Sequence, residues 1–263
     1  KKLPPDLAGS VGPVAAKLWS SLRADRRDLL KLLARFELSA DQALRWWGHE
    51  ARAQAGIALE DSAILQNPYL CFEADRGRVD SIPLSVIDRG MFPAPQVLAA
   101  IPVPPPSACA EPIDPRRGRA LVIHALEQAA ANEGHTLLPQ DWLVERVREA
   151  EIAPPCPITG DWITAFAEGF SPQLEPAETA KSGAAWQLDR YANTRTLIGT
   201  RVKRRLGGAR HAGDHDWRKL IDQALASPAK TGDATEENAR KEKASALEEL
   251  FRSRVSVLIG PAG

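Results

Sequence analysis

The sequence predicts a mainly α protein built from several small modules in a row, and three observations carry that prediction. Apolar residues recur at three- and four-residue spacing through residues 1–92. Helix start and stop signals interrupt them at short intervals. The only strongly β-branched run, Arg254–Ile259, is the last element of the chain. The 263 residues, 44% hydrophobic and 26% charged, leave room for one large domain or two to three small ones with a real core. Thirty-four basic residues balance 34 acidic ones, so a basic surface can only be local. No stretch has the length and apolarity of a membrane span, and no secretory leader is visible at Lys1-Lys2-Leu3-Pro4-Pro5. A cytoplasmic location and no membrane partner are therefore expected. Cys71, Cys109 and Cys156 are far apart and form no paired framework, as in a reducing compartment.

Taken in order, residues 1–92 read as short helices joined by tight turns. The clearest is opened by Ser39-Ala40-Asp41-Gln42, a capping box, runs through Trp46 and Trp47 and closes near Gly56. Asn67-Pro68 ends the next helix. Eight prolines between Pro93 and Pro115 are too many for a helix interior or a central strand, so 93–115 reads as an extended strap without regular structure. Asp114-Pro115 supplies an N-cap with proline at the first helical position, and this helix stops at Gly134. A turn over His135–Pro139 leads to a second helix from Gln140 to about Glu149. Trp162–Phe166 reads as a strand, and helix, turn, helix and strand together suggest a winged-helix-like unit over 116–180. Helices are expected over Ala184–Leu206, Trp217–Ala226 and Glu236–Arg252, within a basic connector (181–232) and a terminal segment (233–263).

The segment with the most specific chemistry is the last one. Val255-Ser256-Val257-Leu258-Ile259 followed by Gly260-Pro261-Ala262-Gly263 has the form of a buried strand entering a phosphate-binding loop. In such loops successive backbone N–H groups point at the phosphates, a Lys neutralises them and a Ser or Thr hydroxyl holds Mg2+. The first half of that cradle is present. Around Arg190–Lys219 lie nine basic residues (190, 195, 201, 203, 204, 205, 210, 218, 219) against three acids (189, 214, 216), a local balance of +6. Such a run can neutralise phosphates without reading sequence. Arg201, Lys203, Arg204 and Arg205 cannot all share one helix face. His211 and His215 lie among Gly207, Gly208 and Gly213, which favours a loop over a metal site. The tryptophans fall at amphipathic positions and read as core.

Asn67-Pro68-Tyr69, Asp114-x-Arg116-x-x-Arg119-Ala120, Gly134–Pro139 and the helix–strand–Gly260-Pro261-Ala262-Gly263 ending resemble the amino-terminal region of RecD-like superfamily 1 ATP-dependent DNA helicases. The resemblance implies helix-hairpin-helix units and a small helical or winged domain ahead of a RecA-like motor, whose first helix and strand close this chain. It implies ATP and Mg2+ as cofactors of the parent protein, held at Gly260, Pro261, Ala262 and Gly263. The family carries an adenine-reading Gln before the loop; here Glu242 stands at about that position. Gly9 and Gly12 would form a hairpin whose N–H groups contact DNA phosphates. Ser81–Asp88 would be a second, structural hairpin. Arg195, Arg201, Lys203, Arg204 and Arg205 would add DNA contacts. The implied partners are DNA, single-stranded or at a junction, and the rest of the motor. With no initiator Met and an ending on a strand entering a turn, the chain reads as a catalytically silent fragment of such a helicase. A non-catalytic scaffold module of a larger ATPase and an RNA-directed motor are the competing readings.

Overall fold

The computed structural model describes residues 12–179, 183–225, 234–257 and 259. The chain divides into two units, 1–189 and 190–263. The fold is mainly helical, with one small antiparallel sheet. The expected boundaries at 92, 115 and 180 all fall inside the first unit.

That unit is organised around a helix whose ends are written in the sequence. α1 (Pro13–Ser21), α2 (Ala24–Leu33), α3 (Ala40–Trp47), α4 (His49–Gln54), α5 (Asp61–Gln66), α6 (Leu70–Glu73), α7 (Leu84–Met91) and α8 (Pro95–Ala100) precede α9 (Pro115–Glu133). The Asp114 carboxylate accepts from the Arg116 N–H, Pro115 occupies the first turn, and Gly134 turns left-handed at φ 74°. The N–H groups of Gly134 and His135 both reach the Ala129 carbonyl. Unlike a surface helix, α9 buries residues all round, from Arg117 and Gly118 to Leu126 and Ala129. One side meets α6 and α7; the other meets β1 (Leu137–Pro139), α10 (Gln140–Arg148) and the sheet.

The remainder of this unit is α11 (Gly160–Phe166), a 3-10 turn over Ala167–Phe170, β2 (Leu174–Thr179) and β3 (Gly183–Leu188). The sheet order is β1-β3-β2, antiparallel throughout, with Leu138 opposite Trp186 and Glu175 opposite Gln187. Leu138, Leu143, Val147, Ile163, Phe170, Leu174 and Leu188 form its core against α9.

Five expectations are corrected. Trp162–Phe166 is helical: the Thr159 hydroxyl accepts from the Trp162 N–H at 3.1 Å and starts α11 where β-favouring side chains suggested a strand. The expected helix over Ala184–Leu206 begins as β3, because pairing with strands on both sides outweighs the helix propensity of Ala, Gln and Leu. The helix expected to reach Gly56 breaks at Gly48, whose extended backbone ends α3 and starts α4. The strap contains one helix, the six residues of α8, and is pinned where the Ser107 hydroxyl donates to the Leu65 carbonyl at 2.7 Å. Residues 254–257 form no strand, and Ile259 is 89% exposed; with no ladder partner among the described residues, β-branching alone does not make a strand.

In the second unit, α12 (Asp189–Leu206) is followed by α13 (Trp217–Ala224) and α14 (Ala234–Arg252). α13 packs on α14 through an ionic lattice: Arg218 reaches Asp222 and Glu237, and Arg240 reaches Asp222 and Glu236. His215, Trp217 and Phe251 pack as a triangle of rings, with centroids 5.1, 5.0 and 5.2 Å apart.

Candidate nucleic-acid interface

The basic residues fall into two populations, which differ in whether an acid already holds them. α9 begins with Arg116, Arg117 and Arg119, and all three are engaged. Arg116 pairs with Asp114 at 2.7 Å and donates to the Gln66, Pro106 and Ala108 carbonyls. Arg117, fully buried, forks onto Asp88 at 2.7 and 2.8 Å and donates to the Pro112 and Pro154 carbonyls. The Tyr69 hydroxyl donates to the same carboxylate at 2.8 Å. Arg119 forks onto buried Glu73 and donates to the Gly169 carbonyl. Tyr69, through Asp88, and Arg116, Arg117 and Arg119 therefore fasten α9 to the helices before it. A cleft of about 400 Å3 beside Arg116, Arg119, Phe166 and Phe170 holds no free cation.

Two further ionic nodes brace the preceding helices. Burial acts to raise the Asp61 pKa, but hydrogen bonds and charge from Arg26 and Arg52 outweigh it and hold the carboxyl below its usual range. Asp75 accepts from Arg45 and from the Ile82 N–H, both at 2.9 Å. The turn at Ser81–Pro83 is thereby closed by a carboxylate, so its Ile82 N–H is not available to a phosphate.

α12 carries the other population. Arg195, Arg201, Lys203, Arg204 and Arg205 are exposed, and none pairs with an acid among the described residues. At about 100° per residue, Arg201, Arg204 and Arg205 share one stripe with Leu197 and Ile198, while Arg195 and Lys203 point to other sides. The helix carries six basic residues and a single acid, Asp189. The broader run narrows accordingly. Arg210 is taken by Glu249 and Arg218 by Asp222 and Glu237, so the +6 balance overstates the free charge.

Gly12 is the N-cap of α1 in extended backbone, φ −87° and ψ −177°, with open space around its Cα. That conformation suits any residue, so the glycine requirement of a phosphate-binding hairpin is not met there; Gly9 lies outside the described residues. Gly260, Pro261, Ala262 and Gly263 also lie outside them. Glu242 is an exposed residue of α14.

The three thiols and the Tyr69 hydroxyl are held protonated. Burial, reinforced by the Asp114 charge, pushes the Cys109 thiol up to about 12, and burial pushes Cys156 up to about 11. Cys71 and the Tyr69 hydroxyl are raised as well, chiefly by burial. No group of three metal-ligating side chains occurs among the described residues, His211 and His215 included. Sequence reasoning missed the exposed Leu197 and Ile198 beside the arginines, which a 3.6-residue count along Asp189–Leu206 would have found. It also missed a groove on α10 around Trp142, a residue it placed in the core. No protein-family model and no curated protein matches the chain.

Proposed function

We propose that the chain is the amino-terminal DNA-binding and regulatory part of an ATP-dependent DNA helicase, one that translocates on single-stranded DNA and unwinds duplex. The observation that carries this reading is the Arg201, Arg204 and Arg205 stripe, three guanidinium groups on one helix face that no acid holds among the described residues. Phosphate contacts of this kind need free cations, and their affinity is independent of base sequence. ATP and Mg2+ belong to the loop begun at Gly260–Gly263. The order helix, β1, helix, helix, β2, with β3 just beyond it and sheet order β1-β3-β2, supports the winged-helix-like reading of 116–180. A protein-docking scaffold is the second reading, favoured by Leu197 and Ile198, which are 58% and 56% exposed beside the arginines.

Fluorescence anisotropy with a labelled oligothymidine at several salt concentrations tests the proposal. Each phosphate contact on a single strand contributes about −0.7 to the slope of log K against log salt, so replacing Arg201, Arg204 and Arg205 by Glu should flatten that slope by about 2. Oligonucleotides of different base composition should behave alike. If the triple variant binds at low salt as tightly as the parent chain, the DNA reading fails and the scaffold reading gains. Equal affinity for oligouridine would extend it to RNA.

A further inference from the structure

We infer that a groove on α10 is a docking surface for α12 of a second copy of this chain. The groove holds about 500 Å3 and is lined by Asp141, Trp142, Val144, Glu145, Arg148, Glu149 and Gly160. Trp142 is 53% exposed, an unusual position for the largest apolar side chain. Asp141, Glu145 and Glu149 recur every four residues and so form one stripe beside it. None of the three is in an ion pair among the described residues, whereas Arg146 on the same helix is held by Glu133 at 2.6 Å. Arg148 lines the groove too, but its Nε donates to the Ile158 carbonyl at 2.8 Å. The surroundings share this sign: residues 140–179 hold eight acids and two bases, and Asp161, Glu168, Glu175 and Glu178 are all exposed. A winged-helix module with that balance repels a phosphate backbone. The fitting ligand is cationic, with an aliphatic side chain to cover the indole.

α12 has that chemistry. Arg201, Arg204 and Arg205 follow exposed Leu197 and Ile198 along it, and from Leu197 to Arg205 the stripe is nine residues long, eight steps or roughly 12 Å at 1.5 Å per residue. Asp141 to Glu149 covers the same nine residues. The zero net charge means that two copies approach without long-range repulsion, so local complementarity can orient them. The two surfaces differ, which makes the contact heterologous and the assembly concentration-dependent. This inference stands apart from the DNA proposal, since neither surface needs nucleic acid to meet the other.

Sedimentation velocity without DNA tests it. The wild-type chain should associate with rising concentration at about 50 mM salt and dissociate at about 500 mM, where the Debye length shrinks severalfold. A groove variant, Glu145→Arg with Glu149→Arg, and a stripe variant, Arg201→Glu with Arg204→Glu, should each remain monomeric. Mixed in equal amounts, they should form a heterodimer and stop there, because each retains one competent surface. That rescue also shows both variants to be folded. A wild-type chain that stays monomeric at about 100 µM in low salt overturns the proposal, a range in which even weak heterologous contacts populate dimers. So does association that survives in either variant alone, or a mixture that fails to dimerise. A wild-type chain that self-associates but does not bind oligothymidine would remove the DNA proposal and leave this one standing.

Discussion

Replacing Arg117 by Ala should be among the most damaging single changes available in this chain, by a margin that follows from its bonds. The guanidinium is fully buried and makes four contacts of 2.7–2.9 Å: two to Asp88, one to the Pro112 carbonyl and one to the Pro154 carbonyl. It also lies 4.3 Å from the centroid of the Phe92 ring. Truncation leaves the Asp88 carboxylate, 3% exposed, with the Tyr69 hydroxyl as its remaining side-chain partner. Breaking one half of a buried ion pair costs about 3–5 kcal/mol, because the surviving charge stays desolvated. Tyr69→Phe removes one hydrogen bond to a charged acceptor and should cost about 1.5–3 kcal/mol. Arg146→Ala, at a partly exposed pair with Glu133, should cost about 1 kcal/mol or less.

Urea unfolding at pH 7, followed by tryptophan fluorescence and fitted with a shared m-value, gives all three numbers. The double variant Arg117→Ala with Asp88→Ala closes the cycle. It should be less destabilised than the sum of its singles by at least about 1 kcal/mol, since it removes the orphaned charge. If Arg117→Ala falls within about 1 kcal/mol of wild type, or the cycle shows no coupling, then this pair does not fasten α9 to the earlier helices.

Gly118 is helical, yet Ala there should destabilise: a Cβ would run into the Trp162 indole where α9 and α11 cross, and overpacking costs about 1–3 kcal/mol against the roughly 1 kcal/mol that Ala gains in helix propensity. Loss of the near-ultraviolet tryptophan signal before the helical signal would mark the site; an unchanged melting temperature would refute the reasoning. Burial lowers the His124 pKa from its ordinary 6.5, with the Glu127 charge opposing, so the folded chain favours the neutral ring. That stability is present above pH 6.5 and is lost as pH falls through the lowered value. His124→Phe should flatten the acid limb of a stability–pH curve, and an unaltered limb would exclude His124 as its source.

Much of the fold is legible where one local device settles it. Ser39 with Gln42, and Asp114-Pro115 with Gly134, fix helix ends through contacts a few residues apart, and the observed helices begin and end there. The failures lie where distant residues decide. Trp162–Phe166 is a run of β-favouring side chains, and what makes it a helix is the Thr159 cap together with the notch at Gly118, 44 positions earlier. β3 reads as helix until residues 137–139 and 174–179 pair with it. The candidate interface divides in the same way. The 3.6-residue stripe Arg201, Arg204 and Arg205 is visible from spacing alone. That Arg210 is occupied is not, because its partner Glu249 lies 39 residues away.

Arg116-Arg117-Gly118-Arg119 and Arg201-Val202-Lys203-Arg204-Arg205 are comparably basic on paper, and only the acids around them tell them apart. To meet a phosphate, Arg117 or Arg119 would have to abandon Asp88 or Glu73, both buried, at about 3–5 kcal/mol for each carboxylate left unpaired. A phosphate contact on the surface does not recover that much. Arg201, Arg204 and Arg205 of α12 leave no carboxylate behind, since none holds them among the described residues. Any polyanion, whether DNA phosphates or the acid stripe of another copy, therefore meets α12 first. The two partners should compete for the same guanidinium groups: adding oligothymidine to the self-associated chain should return it to monomer at a ratio of about one oligonucleotide per chain, with less effect as salt screens both contacts. Assemblies that bind DNA yet keep their size would place phosphate contacts elsewhere than on Arg201, Arg204 and Arg205.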